Sequence, residues 1–177
     1  MQHGYDWSGA NIDGWLASEK FDGCRAYWDG VQLWTRGGNV VNAPRWFTEA
    51  LPVGVNLDGE LWAGRGNFTE ARLAAQYGSR HFMRTIKFCA FDAPLASGAW
   101  PERMASIVGN EVVAPVEFQT VQNELHLLAL FTVIKAAGGE GLIIRVPSLP
   151  YSSGRTPQLL KVKHAEQFSS SQMRRAA

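Results

Sequence analysis

The stretch WLASEKFDGCRAYWDGVQLWTR, residues 15–36, decides how this chain is read. Asp29-Gly30 is a strong signal for a two-residue hairpin between strand-like arms. Lys20 falls where a first strand gives way to the turn-forming pair Asp22-Gly23. Gly37-Gly38 supplies another turn, so residues 15–42 are expected to form a small antiparallel meander with Lys20 at a strand end.

Further along, Asn42 and Pro44 before RWFTEAL predict a short helix, with Asn as cap and Pro in the first turn. Residues 53–63 return to a strand pattern, and residues 69–77 predict a helix stopped by Gly78. TIKFCAFD at 85–92 reads as a largely buried strand. Pro101 opens a helix that ends near Gly109. Pro115 interrupts the β-branched run at 111–121, which suits an edge strand or a bend. The longest predicted helix covers 123–137 and closes at Gly138. Strands GLIIRV and LLKVK follow, and the final EQFSSSQMRRAA shows no periodicity and reads as a tail. Hairpin-joined strands with interspersed helices predict an α+β domain with antiparallel sheet, not a doubly wound parallel one.

The 177 residues allow one domain with a sizeable core or two very small ones. At 46% hydrophobic and 19% charged the composition is globular. A net charge of +1 rules out a uniformly basic nucleic-acid glove but leaves room for a local patch. Cys24 and Cys89 have no metal-ligand spacing and are expected to be buried free thiols. No apolar run approaches the roughly 18 residues of a membrane span. The start lacks the pattern of an export signal, so a cytoplasmic location is expected, or a periplasmic one if a leader has been removed.

No GxxxxGK[ST], early GxGxxG, HExxH or GxSxG is present. The four histidines do not cluster in sequence. What remains is a set of charges at turns and strand ends: Lys20 with Arg25, Arg36 before two glycines, Asp58-Gly59-Glu60, Asp92 after Phe91, Glu140-Gly141, and Lys161-Val162-Lys163. The last two lysines alternate, so both point from one face of a strand. Cations meeting at one cleft would form a phosphate site, and neighbouring carboxylates would suit Mg²⁺. A lysine crowded by other cations gives up its proton more readily and becomes a nucleophile. Taken one by one, the same pairs also fit turns with solvated charges.

KFDGCR at 20–25 resembles the nucleotidyl-acceptor motif of ATP-dependent DNA ligases, RNA ligases and mRNA-capping enzymes. TRGG at 35–38, LDGELW at 57–62, FDAP at 91–94, GGEGLIIR at 138–145 and LLKVK at 159–163 follow in that family's order. The flanks SEKFDGCRAYWDG, NAPRWF, LDGELWAGRGNF and GGEGLIIRVPSLPYSSGR look most like the minimal bacterial ATP-dependent DNA ligases, often periplasmic, which pair an adenylation domain with an OB domain. The resemblance spans about residues 12–163.

It implies an ATP-grasp-like nucleotidyltransferase domain over residues 1–163. ATP and Mg²⁺ (or Mn²⁺) would be its cofactors, nicked duplex DNA its partner, and a monomer its state. Lys20 would attack the α-phosphate of ATP and hold AMP. Arg25 would meet phosphate of the nucleotide or of the nicked strand, and Arg36 the 5′-phosphate side of the nick or the nucleotide. Glu19 would join the nucleotide-binding set. Glu60 would hold the ribose and, with Glu140, the metal. Phe91 would stack on adenine, with core packing as its other reading, and Asp92 would support the loop. Lys161 and Lys163 would neutralise the α-phosphate during transfer. Trp28, Trp34 and Trp62 are expected to pack, and Arg65, Arg145 and Arg155 fit either a DNA face or solvated charge.

The family continues past LLKVK into an OB domain, whereas residues 164–177 read as a tail too short for a five-stranded barrel. The resemblance therefore implies slow self-adenylation unless an OB domain is supplied in trans. Two other readings stay open at this point: an RNA ligase or capping-type nucleotidyltransferase, and an ATP- or DNA-end-binding module without catalysis.

Overall fold

The computed structural model describes residues 1–168; the part of the expected tail from 169 to 177 lies outside the described residues. Among the described residues there are ten strands, five helices and a further helical turn at 166–168. They divide into an inserted unit, Met1 with Phe21–Val116, and a discontinuous unit, Gln2–Lys20 with Glu117–Ala177. The chain therefore passes from one unit to the other directly after Lys20 and again after Val116.

The discontinuous unit holds β1 (Gln2–Asp6), β2 (Leu16–Lys20), β8 (Phe118–Thr120), helix α5 (Glu124–Ala136), β9 (Gly141–Arg145) and β10 (Gly154–Val162). Its sheet has the order β1-β10-β9-β2-β8. All pairs are antiparallel except β1 with β10. Asn123 caps α5 by accepting from the backbone N–H of His126 at 2.9 Å, and Gly138 follows at φ 80°, as the sequence predicts. Leu127 and Phe131 of α5 pack on Ala17, Leu142, Ile144, Leu160 and Val162, one face of the sheet.

The inserted unit holds β3 (Cys24–Trp28), β4 (Leu33–Thr35), α1 (Arg45–Thr48), β5 (Leu57–Trp62), α2 (Phe68–Tyr77), α3 (Arg80–Met83), β6 (Lys87–Asp92), α4 (Trp100–Ala105) and β7 (Val113–Pro115). Its sheet runs β4-β3-β5-β6-β7, antiparallel except for β6 with β7. The core gathers Ala26, Leu57, Leu61, Phe88, Ala90 and Trp100, all fully buried. α2 packs on β3 and β5, with Ala71 and Ala74 fully buried.

Several expectations change. Residues 15–42 are not one meander: β2 pairs with β8 and β9, while β3 and β4 belong to the other sheet. The Asp22-Gly23 segment is a crossover rather than a hairpin turn. Phe21 lies edge-on to Trp62 at 5.0 Å, and a Cβ at Gly23 would come within 2.3 Å of the Leu61 carbonyl oxygen, so only glycine fits that approach to β5. The β3–β4 turn centres on Gly30 and Val31, one residue later than predicted: the Asp29 N–H donates to Gln32 O at 3.1 Å, and Gly30 takes φ 95°. Pro44, not Asn42, occupies the cap position of α1. Pro115 does lie in an edge strand.

β10 begins five residues before LLKVK because residues 154–156 pair in parallel with β1, a strand the sequence did not suggest. Pro157, which has no N–H to give, falls in the irregular stretch between the two halves of that pairing. The first part of the expected tail is structured too. Residues 166–168 are helical, Phe168 is buried against Trp7 and Phe131, and the Gln167 amide donates to Trp7 O and Lys161 O at 2.7 and 3.0 Å. An aromatic side chain with an apolar groove to fill overrides the missing periodicity.

Candidate active site

Lys20 ends β2, opposite Gly141 of β9. Directly opposite residues in an antiparallel ladder share a face. Ser18, Ile143 and Lys161 lie in one such row, and Lys20 belongs to the same face two residues on. This is the face turned away from the α5 core. Lys163, two residues past Lys161, continues it. A Cβ at Gly141 would lie 2.1 Å from the Val162 carbonyl oxygen, so glycine is required where the strands draw together beside Lys20.

Glu140 precedes Gly141 and sits among these lysines. The Lys20 ammonium donates to Glu140 Oε2, and Lys163 Nζ stands 4.0 Å from Glu140 Oε1. Side-chain exposures of 21%, 26% and 32% for Lys20, Glu140 and Lys163 leave the group accessible but partly dehydrated, so its charges are felt more strongly than on an open surface. Lys161 Nζ lies 3.2 Å from Asp6 Oδ1 on β1, a carboxylate the sequence reading did not single out. Glu19 stands opposite Leu142, so its side chain leaves β2 on the face opposite Lys20.

In the inserted unit, Arg25 of β3 stands opposite Glu60 of β5, and Glu60 opposite Cys89 of β6. Phe91 follows two residues later on the same face. The arrangement brings together three predicted residues: Arg25, Glu60 and Phe91. The Arg25 guanidinium lies 5.1 Å from the Phe91 ring centroid and forms a fork on Asp58, at 3.0 and 2.6 Å. Asp58 is fully buried, and sequence reasoning missed its role because it was read only as the opening of a strand. Burial pushes the Cys24 thiol up, the Glu60 carboxylate adds to this, and Arg72 opposes it. Arg36 is exposed in the turn over residues 35–39, where Gly38 takes φ 81°.

The loop that begins at Phe91 is anchored from α4. The Trp100 indole donates to Phe91 O at 2.8 Å. Arg103 forms a buried fork on Asp92 at 2.7 and 3.0 Å and donates to Gly98 O at 3.0 Å. Asp92 therefore supports the loop, as expected. Trp28 and Trp34 pack with their indoles donating to Pro52 O and Asp29 Oδ2. Arg145 is buried, so neither a DNA face nor a solvated charge describes it, while Arg155 is exposed over the Tyr5 ring. Cys89 is a buried free thiol, and Cys24 is free but only partly buried. Among the described residues no group of three or more His, Cys, Asp or Glu could hold a metal ion. No helix among them is long and apolar enough to cross a membrane.

No protein-family model matches the chain. It is 34% identical over 160 residues to the DNA ligase of Haemophilus influenzae, covering 87% of this chain and 59% of that protein. A solved structure from work on Lig E DNA ligases, described as binding DNA with a minimal scaffold, superposes with a TM-score of 0.82 at 32% identity, over 93% of this chain and 68% of the other. The ATP-dependent DNA ligase of bacteriophage T7, in complex with ATP, shares the fold at a TM-score of 0.70 and 15% identity, over 92% of this chain and 68% of that one. The chain belongs to the ATP-dependent DNA ligase family, and its fold is that family's nucleotidyltransferase domain. It spans about three fifths of the length of the Haemophilus influenzae relative.

Proposed function

We propose that the chain performs the nucleotidyl transfer of an ATP-dependent DNA ligase, with Lys20 as the residue that carries AMP. The observation that supports this best is the position of Lys20: at a strand end, paired with Glu140, on the same sheet face as Lys161 and with Lys163 nearby. The neutral Lys20 amine attacks the α-phosphorus of ATP. The N–P bond forms as the P–O bond to pyrophosphate breaks, and the amine proton is lost to solvent. Lys161 and Lys163 offset the charge that builds on the α-phosphate. AMP then passes to the 5′-phosphate of nicked duplex DNA, ahead of sealing.

Phe91 stacks on adenine, exchanging one face of its ring from Arg25 to the base. Arg25 and Arg36 serve phosphate, Glu60 the ribose, and Glu19 contributes through its backbone. Mg²⁺ is normally held by one or two carboxylates together with substrate phosphates and water. Glu140, beside Lys20, would be a suitable donor for that mode, and Glu60 of the inserted unit carries a carboxylate of the same chemistry; the metal would supply charge neutralisation at the phosphates. The adenylation domain comprises residues 1–163 together with the helical turn at 166–168 that packs on them, and acts as a monomer with an OB domain as its partner.

Incubation with α-labelled ATP and Mg²⁺, with and without an OB domain added in trans, tests the reading. The expected result is a covalent protein–AMP adduct, stronger with the OB domain and absent from Lys20→Ala. Label retained by Lys20→Ala would overturn the nucleophile assignment, and no label under either condition would favour a non-catalytic module.

A further inference from the structure

Asp6 and Lys161 face each other because the pairing of β1 with β10 breaks and restarts. Gln2, His3 and Gly4 pair in parallel with Gly154, Arg155 and Thr156; Tyr5 then pairs with Leu160, and Asp6 with Lys161. Pro157, Gln158 and Leu159 are passed over by β1. Had the first register continued, Asp6 would stand opposite the exposed Gln158. Irregularities of this kind re-aim side chains beside active sites. The close passage is built into the sequence: a Cβ at Gly4 would lie 2.0 Å from the Leu159 carbonyl oxygen, so only glycine lets β1 run past the break.

Backbone bonds lock the restarted register. The Trp7 N–H donates to Lys161 O at 2.9 Å, and the Gln167 amide donates to the same oxygen at 3.0 Å and to Trp7 O at 2.7 Å. Paired neighbours share a face, so Asp6 stands on the face that carries Lys161 and Lys20, with its Oδ1 3.2 Å from Lys161 Nζ. The Asp6 side chain is 70% exposed and that of Lys161 26%. A pair so open to water adds little to stability. Its effect is on direction. A lysine ammonium rides on a flexible four-carbon stem, and a neighbouring carboxylate fixes where it rests. The ammonium has three donors; Asp6 takes one and leaves two for phosphate oxygens.

We propose that Asp6 is a positioning residue for nucleotidyl transfer, which holds the Lys161 ammonium in place to meet the α-phosphate of ATP. This inference rests on the ligase reading for the task of Lys161. Charge aimed in advance at the place where negative charge develops lowers the barrier without reorganisation during the reaction. Asp6 therefore acts through Lys161, and its removal lets the ammonium swing away from the phosphate. An Asp6 that served only to dock β1 would not act through Lys161 at all. One that drew Lys161 away from the phosphate would slow the reaction, and its loss would speed it.

Two measurements on the full chain test this. The first is single-turnover AMP labelling across ATP concentrations, with an OB domain in trans, for the unaltered chain, Asp6→Ala, Asp6→Asn, Lys161→Ala and the double alanine variant. Asp6→Ala should lower the maximal rate about 10-fold, within the range that groups in contact show. Half-saturation by ATP should stay within about 2-fold, because the interaction matters in the transition state and not in ground-state binding. Asp6→Asn keeps an acceptor oxygen for the ammonium and should recover most of the loss. Once Lys161 is alanine, replacing Asp6 should change nothing further. An unchanged or raised rate in Asp6→Ala would overturn the proposal, as would the same loss in the Lys161→Ala background. The second measurement is acylation of Lys161 without ATP, followed by peptide mapping. It should be about 2- to 5-fold faster in Asp6→Ala, the range that an exposed pair is worth; an unchanged rate would also overturn the proposal. Faster acylation with no AMP captured by the unaltered chain would sink the ligase reading, and this role with it. AMP capture indifferent to Asp6 would sink the role alone.

Discussion

Lys20 differs in kind from the cations around it. It must lose a proton and form a bond, so Lys20→Arg should abolish AMP capture as fully as Lys20→Ala, because guanidinium has almost no neutral form. Lys161 and Lys163 act through charge alone. Replacing either by Ala should slow adenylation about 10²–10³-fold, by analogy with the loss of one oxyanion donor, measured as single-turnover labelling. Asp92 and Arg103 make a contrast, since both are buried and paired with each other. Arg103→Ala removes both bonds of the buried fork on Asp92 and should cost about 3–5 kcal/mol in urea unfolding. Removing both charges with apolar side chains of similar volume should cost much less.

At the scale of elements, the β3–β4 turn offers a pH-dependent prediction. The Asp29 carboxylate accepts from the backbone of Gln32 and Val31 and from the Trp34 indole, and these bonds, Gln32 first, hold it below the usual carboxylate range. A depressed folded value contributes stability above the ordinary aspartate range, and that stability is lost as pH falls through the folded value. Asp29→Asn should therefore lower Tm at neutral pH, with the gap to the unaltered chain closing in acid; a gap independent of pH would count against this origin of the stability. Phe168 makes a second case. It closes the core formed by Trp7, Phe131 and α5, so Phe168→Ala should cost about 3–5 kcal/mol in denaturant unfolding. An unchanged stability would mean that residues 164–168 are the tail the sequence suggested.

Across the whole molecule, what was legible in the sequence was what local chemistry encodes. The αL glycines at 78 and 138, the Asn123 cap, the edge-strand Pro115 and the lysine alternation at 161–163 each follow from a few neighbouring residues. Pairings between distant segments were not. β2 and β3 are joined by three residues yet lie in different sheets, because β2 finds its partner more than a hundred residues away in β9. The Arg25–Asp58 fork, the Lys161–Asp6 pair and β1 itself were hidden for the same reason. The Lys20–Glu140 pair was foreseeable only as two members of one family pattern, and its formation depends on the β2–β9 register. The inserted unit carries Arg25, Glu60 and Phe91, and the discontinuous unit carries Lys20, Glu140, Lys161 and Lys163.

If Lys20 is the nucleophile, AMP becomes attached to one particular nitrogen. Peptide mapping by mass spectrometry after incubation with ATP and Mg²⁺ measures this directly. AMP is expected on the peptide containing Lys20, localised to that side chain and removed by added pyrophosphate. AMP on Lys161, Lys163 or any other residue, or no modified peptide when an OB domain is supplied, would contradict the assignment.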